Sequence, residues 1–144
     1  MGHNLPLKTR RRIGRGINAR VREAWSRRTF NGLGSRATLQ TAVAGSNNDL
    51  VYIARVPGTA GNAYTVRYVV AGNNTPLSVS VVGTDITVNC ATNGSAASIT
   101  TAKQVRDAIG AVAAANALVL VGDKYGDDGS GIVPALAATN LAGA

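Results

Sequence analysis

The stretch LSVSVVGTDITVNC, residues 77–90, decides the fold that this sequence predicts. Apolar and polar residues alternate from Leu77 to Val81, Gly83 follows, and the alternation resumes from Ile86 to Asn89. Alternation with a period of two is the pattern of a half-buried strand. Because two such runs flank a glycine, the stretch predicts a tight antiparallel hairpin.

Other strands are expected on both sides of this hairpin. Further segments are rich in β-branched and aromatic residues or alternate in the same way, namely Leu50–Arg55, Ala63–Val70, Leu118–Val121 and Ala135–Leu141. Residues Leu39–Val43 could add an edge strand within an otherwise small-residue linker. The body therefore has a β-rich pattern.

A single helix is predicted after the hairpin. Thr101 and Gln104 have capping-box spacing, in which each side chain satisfies a free backbone amide of the other residue. Apolar residues then recur at i, i+3, i+4 and i+7, on Val105, Ala108, Ile109 and Val112. The predicted fold class is α+β: a largely antiparallel β-sheet with one helix packed on a face, preceded by an extended basic N-terminal arm with a short helix.

The charge of the chain is divided unevenly along its length. The formal net charge is +8. Residues 1–48 carry +9 and residues 49–144 carry −1. Such asymmetry indicates a basic tail that meets an acidic partner. We therefore divide the chain into an Arg-rich N-terminal arm and linker, residues 1–48, and a compact α+β assembly domain, residues 49–144.

The arm contains the candidate partner-binding residues. Pro6, Gly14 and Gly16 favour an extended segment over residues 1–16, and a short helix between Asn18 and Asn31 would align a narrow apolar stripe. The residues expected to contact a partner are Arg10, Arg11, Arg12, Arg15, Ile17, Arg20, Val21, Arg22, Trp25, Arg27 and Arg28. Arginine can bind either carboxylates or phosphates through paired hydrogen bonds, so its abundance does not choose between a protein and a nucleic-acid partner. Three roles stay open: a solvated tail, an arm that threads across neighbouring subunits, and direct nucleic-acid binding.

The sequence predicts no catalytic residue, cofactor site or metal site. His3 is the only histidine, and Cys90 is the only cysteine and alternates with Val88 like a small buried hydrophobe. The carboxylates of Asp123, Asp127 and Asp128 are not spaced as in a calcium-binding EF-hand loop, so a solvated turn is the favoured interpretation. We expect a chain that is not an enzyme.

Low aromatic content predicts a thin core and stability gained from contacts between subunits. Only 4% of the residues are aromatic, and aromatic side chains dominate the energetics of most cores.

No segment approaches the roughly 18 apolar residues of a membrane span. We therefore expect no membrane contact and expect the chain to be made as a soluble cytoplasmic product.

Several strings of the body carry a specific resemblance. They are DLVY at 49–52, PGTAGN at 57–62, VSV at 79–81, DITV at 85–88, TAKQV at 101–105, DGSG at 128–131 and LAATNLAG at 136–143. Together they resemble a small module that recurs in tailed-bacteriophage virion proteins, in tail sheath subunits and in head and neck proteins. The resemblance covers residues 49–144 and excludes the arm.

The resemblance implies a bacteriophage virion structural protein, most readily a capsid decoration (cement) or head-tail neck subunit. Its expected partners are other virion proteins, either major capsid or neck and tail subunits, and copies of itself, with contact to packaged DNA through the arm as an open option. A tail tube or sheath-associated component is one alternative, although sheath subunits are much longer. A small basic DNA-binding packaged protein is the other.

Overall fold

The computed structural model describes residues 34–144, and the compact unit within them spans Ser35–Ala144. Its elements, in chain order, are β1 (Thr38–Gln40), β2 (Leu50–Ala54), a 3-10 turn (Thr59–Ala63), β3 (Thr65–Val69), β4 (Ser78–Val82), β5 (Asp85–Asn89), α1 (Ala102–Ala111), α2 (Ala113–Leu118), β6 (Val119–Asp123) and β7 (Leu136–Asn140). The unit is α+β, which confirms the predicted fold class.

The hairpin predicted from residues 77–90 forms. Strands β4 and β5 are antiparallel, and Val79 lies opposite Val88. Gly83 in the connection has a φ of 62°, in the left-handed region that glycine adopts without a Cβ penalty. Val88 is fully buried, as the alternation of apolar residues requires.

The strands form two sheets, where the sequence predicted one. The first has the order β1-β2-β6 and is antiparallel throughout, and the second has the order β4-β5-β3-β7. In the second sheet β3 lies between β5, to which it is parallel, and β7, to which it is antiparallel. The physical reason is burial: β2 and β3 both carry fully buried side chains, which cover each other when the sheets pack face to face.

The remaining sides of this sandwich are closed by different means. Beyond β7, Ala142 exchanges two backbone hydrogen bonds with Thr38 of β1, at 2.8 and 3.0 Å, which links the two sheets on one side. On the other side, α1 and α2 each contact β4 of one sheet and β6 of the other. The helices therefore cover the open seam between the sheets, where the sequence predicted a helix on one sheet face.

The helical segment is divided into two helices, a second correction to the single predicted helix. The capping box at Thr101 and Gln104 is present in both directions. Helix α1 ends before Val112, whose φ of −90° and ψ of 108° are extended rather than helical, and α2 then runs into β6. Val105 and Ile109 are buried as predicted, because they face the core.

Arg106 lies outside the predicted apolar face of α1 and is nevertheless half-buried. Its guanidinium forms an ion pair with Asp123 at the end of β6, and 27% of its side-chain surface is exposed. The helix packs against β6, so this position faces a strand rather than water.

Residues 35–48, which the sequence placed in the linker, pack as part of the compact unit. β1 pairs with β2 and forms the edge strand considered for Leu39–Val43, shifted to Thr38–Gln40. Ala37 is fully buried against Gly61, where an added Cβ would lie 3.0 Å from the Ala37 Cβ. The small residues of this segment permit close packing of backbones. A flexible linker is also rich in small residues, so composition alone did not distinguish the two.

Candidate interaction site

All eleven candidate arm residues, from Arg10 to Arg28, lie outside the described residues. The structure therefore does not test their assigned role. Residues 34–144 contain six aspartates and six lysines or arginines, so the whole formal charge of +8 belongs to residues 1–33. The site is accordingly sought on the surface of a body that is formally neutral.

The charged residues of the body are nevertheless distributed unevenly between the two ends of β2. Asp49 precedes this strand and Arg55 follows it, and Asp123 of β6 lies opposite Leu50, at the Asp49 end. Arg36 lies at the Arg55 end, where it donates hydrogen bonds to the carbonyl oxygens of Ala54 and Arg55. We call these the acidic end, which includes Asp49, Asp123, Asp127 and Asp128 with the paired cations Lys124 and Arg106, and the basic end, which includes Arg36 and Arg55.

Asp49 is the centre of the acidic end. Its carboxylate accepts hydrogen bonds from Lys124 Nζ at 2.9 Å and from the Val43 backbone amide at 2.9 Å, while Thr41 Oγ1 lies at 3.3 Å. Burial by itself raises the pKa of Asp49, but the hydrogen bonds and the charge of Lys124 outweigh it and hold the pKa below its usual value of 3.8. The residue therefore stays ionised and holds the segment before β2 to the segment after β6.

The other aspartates at this end also have structural partners. Asp127 Oδ2 accepts the Asp49 backbone amide at 3.1 Å, and Asp128 accepts both the backbone amide and the hydroxyl of Ser130. Those bonds lower the pKa of Asp128, the hydroxyl contributing most. In Asp123, Oδ2 binds Arg106 while Oδ1 is buried without a hydrogen-bond partner among the described residues.

Chemistry at this cluster is limited by these contacts. Within residues 34–144, no group of three or more His, Cys, Asp or Glu side chains is placed to hold a metal ion. The carboxylates instead order the loop, which is more structured than the solvated turn that the sequence suggested.

The N-terminus of α1 is covered by the same loop. The backbone amides of Ala102 and Lys103 donate to the carbonyl oxygens of Gly131 and Gly129, at 2.9 and 2.8 Å, and Thr101 caps Gln104. Gly131 packs so closely on the backbone of Ser46 and Asn47 that a Cβ would overlap the Ser46 carbonyl oxygen. The amides that could bind a phosphate at a helix start are therefore already satisfied.

An apolar groove adjoins the acidic end. It has a volume of about 470 Å³ and is lined by Ala44, Val70, Ser98, Ile132, Val133, Pro134 and Ala135. Asn48, itself buried, donates its side-chain amide to the carbonyl oxygens of Ala44 and Ile132, at 2.7 and 2.9 Å, and so fixes two of the lining segments relative to each other. The Ile132 side chain is half exposed. We call this surface the Ile132 groove.

A second, more polar depression lies on the outer face of the four-stranded sheet. Its volume is about 370 Å³, and its lining includes Arg67, Thr87 and the strongly exposed Val82. Arg67 Nε donates to Thr87 Oγ1 at 2.7 Å, so its guanidinium is held against the sheet. The lining of this depression is more polar than that of the Ile132 groove.

The core contains two functional groups that the sequence analysis did not single out. The hydroxyls of Tyr52 in β2 and Tyr68 in β3 are 2.6 Å apart and join the two sheets across the interior. Burial raises the pKa of both tyrosines far above the usual value of 10.0. Cys90 is buried, as predicted, and burial raises its pKa as well. The predicted strand Ala63–Val70 includes Tyr68, but its pattern gave no sign of the partner hydroxyl.

No family model, curated protein or solved structure matches this chain. In residues 34–144, no helix is both long and apolar enough to cross a membrane.

Proposed function

We propose that this chain is a structural subunit of a bacteriophage virion, a capsid decoration or head-tail neck protein whose basic arm threads onto neighbouring subunits. The observation that carries the proposal is the division of charge: residues 1–33 hold the entire formal charge of +8 beside a formally neutral body. Ordering such an arm on a partner costs conformational entropy. Charge-assisted contacts with the partner offset that cost.

The construction of the body supports an assembly role. Its carboxylates and helix amides are engaged in holding loops together, and half-exposed apolar side chains remain on its surface at Ile99, Leu120 and Ile132. A small domain covers little apolar surface by itself, so neighbouring subunits add burial that the isolated fold lacks. The resemblance of residues 49–144 to a module of virion proteins supports a role within the virion.

Mass spectrometry of purified virions of the encoding phage tests this proposal. We expect the full chain in many copies per particle, and a chain lacking residues 1–33 to be lost from the particles although it folds. Absence of the full chain from virions would overturn the proposal, and normal occupancy of the truncated chain would overturn the threading role of the arm.

Salt dependence separates this role from DNA binding. An arm that neutralises six or more phosphates should lose roughly 10³-fold in duplex affinity between 50 and 200 mM salt. We expect only weak duplex binding by the full chain at 50 mM salt. Tight binding that falls steeply with salt would favour the packaged DNA-binding alternative.

A further inference from the structure

We infer that the outer face of the three-stranded sheet β1-β2-β6 binds the same face of a second copy of this chain. The face consists of six residues, namely Thr38, Gln40, Val51, Ile53, Leu120 and Gly122. We call it the Leu120 face. The inference goes beyond the proposed function, because it concerns the purified chain whether or not that chain is part of a virion.

The central strand of this sheet has the composition of a strand that is covered on both sides. All five residues of β2, LVYIA, are apolar. Leu50, Tyr52 and Ala54 are fully buried in the core. Val51 and Ile53 lie on the opposite face and stay partly exposed. A strand with one solvated face normally alternates apolar and polar residues, so β2 indicates a second layer that covers Val51 and Ile53.

The described part of the chain does not supply that layer. Helices α1 and α2 pack against β4 and β6 at the seam of the sandwich rather than over β2. Leu120, beside Ile53 on this face, is 49% exposed. The outer face of the four-stranded sheet is different, because Arg67 and Asp85 make it charged. The Leu120 face contains no charged residue and is therefore the one suited to burial.

The Leu120 face has a ridge and a hollow. Cross-strand pairing places Ile53 beside Leu120 in one row, and Val51 beside Gly122 in the next row. A Cβ on Gly122 would meet no atom within 4 Å, so the second row ends in open space. Leu120 and Gly122 are two residues apart on β6, about 6.6 Å along the strand. The surface is therefore high at Leu120 and low at Gly122.

This shape selects a second copy as the occupant. Consider a two-fold axis in the plane between two such faces, perpendicular to β6 and level with Val121. The axis exchanges positions 120 and 122, so Leu120 of each copy fills the hollow above Gly122 of the other copy. Ile53 of each copy then lies over Val51 of the other. An isologous interface requires this reciprocity, and the Leu120 face is complementary to itself.

The same axis brings ends of opposite charge together. Arg36 and Arg55, at the basic end, donate to carbonyl and amide oxygens rather than to carboxylates. Asp127 and Asp128, at the acidic end, form no ion pair among the described residues. Because the axis reverses the direction of β2, the basic end of one copy lies towards the acidic end of the other. Complementary charges of this kind fix the orientation of a dimer.

The face is small for a stable dimer. Three strands about 4.8 Å apart and five residues of about 3.3 Å each give a footprint of about 240 Å² per copy. Standard interfaces cover roughly 800 Å² per partner. We therefore expect weak association of the purified chain, with a dissociation constant on the order of 0.1–1 mM. Such a contact adds to others when copies are already held together in an assembly.

Methyl NMR spectra of the full chain, recorded from dilute to millimolar protein, test where the copies touch. We expect the methyl signals of Val51, Ile53 and Leu120 to shift with concentration. The methyl signals of Val82, on the outer face of the four-stranded sheet, should not shift. Absence of concentration-dependent shifts at the Leu120 face would overturn the inference, whatever happens elsewhere.

Exchanging the ridge and the hollow tests the two-fold packing. Gly122→Leu fills the hollow, for which the isolated fold has space. It should weaken self-association about 10-fold or more in sedimentation equilibrium, because two leucine side chains then compete for one space. Leu120→Ala removes the ridge and should also weaken association. The double variant Leu120→Ala/Gly122→Leu should recover it, because the axis exchanges the two positions.

The opposite results are equally clear. If Gly122→Leu strengthens association, the contact is unspecific adhesion of apolar surface, and the inference is overturned. Failure of the double variant to recover association also overturns it.

Val82→Leu is the matched control, because Val82 is a strand residue that is 76% exposed on the other sheet. This change enlarges the apolar surface and should leave association unchanged. Circular dichroism verifies that every variant folds. An effect of Val82→Leu as large as that of Gly122→Leu would overturn the inference. All these measurements use the purified chain, so their failure leaves the virion role standing, and absence from virions leaves the dimer standing.

Discussion

The buried pair of tyrosine hydroxyls should behave as a single unit in a double-mutant cycle. Tyr52 and Tyr68 come from different sheets, are both buried, and share a hydrogen bond of 2.6 Å. No other hydrogen bond to either hydroxyl occurs among the described residues. The cycle consists of Tyr52→Phe, Tyr68→Phe and the double variant.

The expected magnitudes follow from what each change leaves behind. A single Tyr→Phe change leaves the other hydroxyl buried without a partner, which costs about 1–3 kcal/mol of unfolding free energy. The double change removes both polar groups and keeps both rings in the core. Its loss should therefore be smaller than the sum of the two single losses by at least about 1 kcal/mol.

Urea unfolding followed by circular dichroism measures all three free energies. Tyr125→Phe is the control, because Tyr125 is fully exposed and its change should stay within about 0.5 kcal/mol. Additive single effects would refute the reasoning, since they would mean that the two hydroxyls do not depend on each other.

The same pair predicts instability in alkali. Burial raises the folded-state pKa of Tyr52 and Tyr68 above 10.0, and the unfolded chain releases these protons at lower pH. The stability that the pair contributes is thus complete below about pH 10 and falls as the pH rises beyond that value. Urea midpoints measured from pH 8 to 11 should decline at the upper end, and the double phenylalanine variant should decline less. An equal decline in both proteins would contradict this assignment.

Three further predictions concern the body. Deleting residues 1–33 should leave a cooperative thermal transition, whereas deleting residues 1–44 removes β1 and should abolish it; similar transitions would contradict the assignment of β1 to the compact unit. Ile109→Ala should cost about 2–4 kcal/mol in urea unfolding, and a loss below 1 kcal/mol would mean that the wrong face of α1 is buried. Gly131→Ala should cost about 1–3 kcal/mol through overlap with Ser46, while Gly110→Ala, which meets open space, should be neutral or stabilising; equal effects would contradict the close packing at Gly131.

The sequence by itself determined the features that depend on neighbouring residues. Alternation specified the β4–β5 hairpin, and the capping box specified where α1 begins. Burial of Val105, Ile109 and Cys90 also followed from local periodicity. The fold class and the candidate arm could be predicted because hydrophobic periodicity and charge distribution are read directly from the sequence, without knowing which distant segments meet.

Only the tertiary structure decided which distant segments meet. The division into two sheets depends on residues far apart in sequence, such as Thr38 and Ala142, and the Ile132 groove depends on the contact of Asn48 with a residue 84 positions away. Helix α1 faces β6, so Arg106 meets Asp123 rather than water. Many pairings of these short strands are compatible with the same alternation of apolar and polar residues. Mutual burial and hydrogen bonding in the core select one of these pairings. Residues from the whole compact unit contribute to that core, so no single segment of sequence reveals the choice.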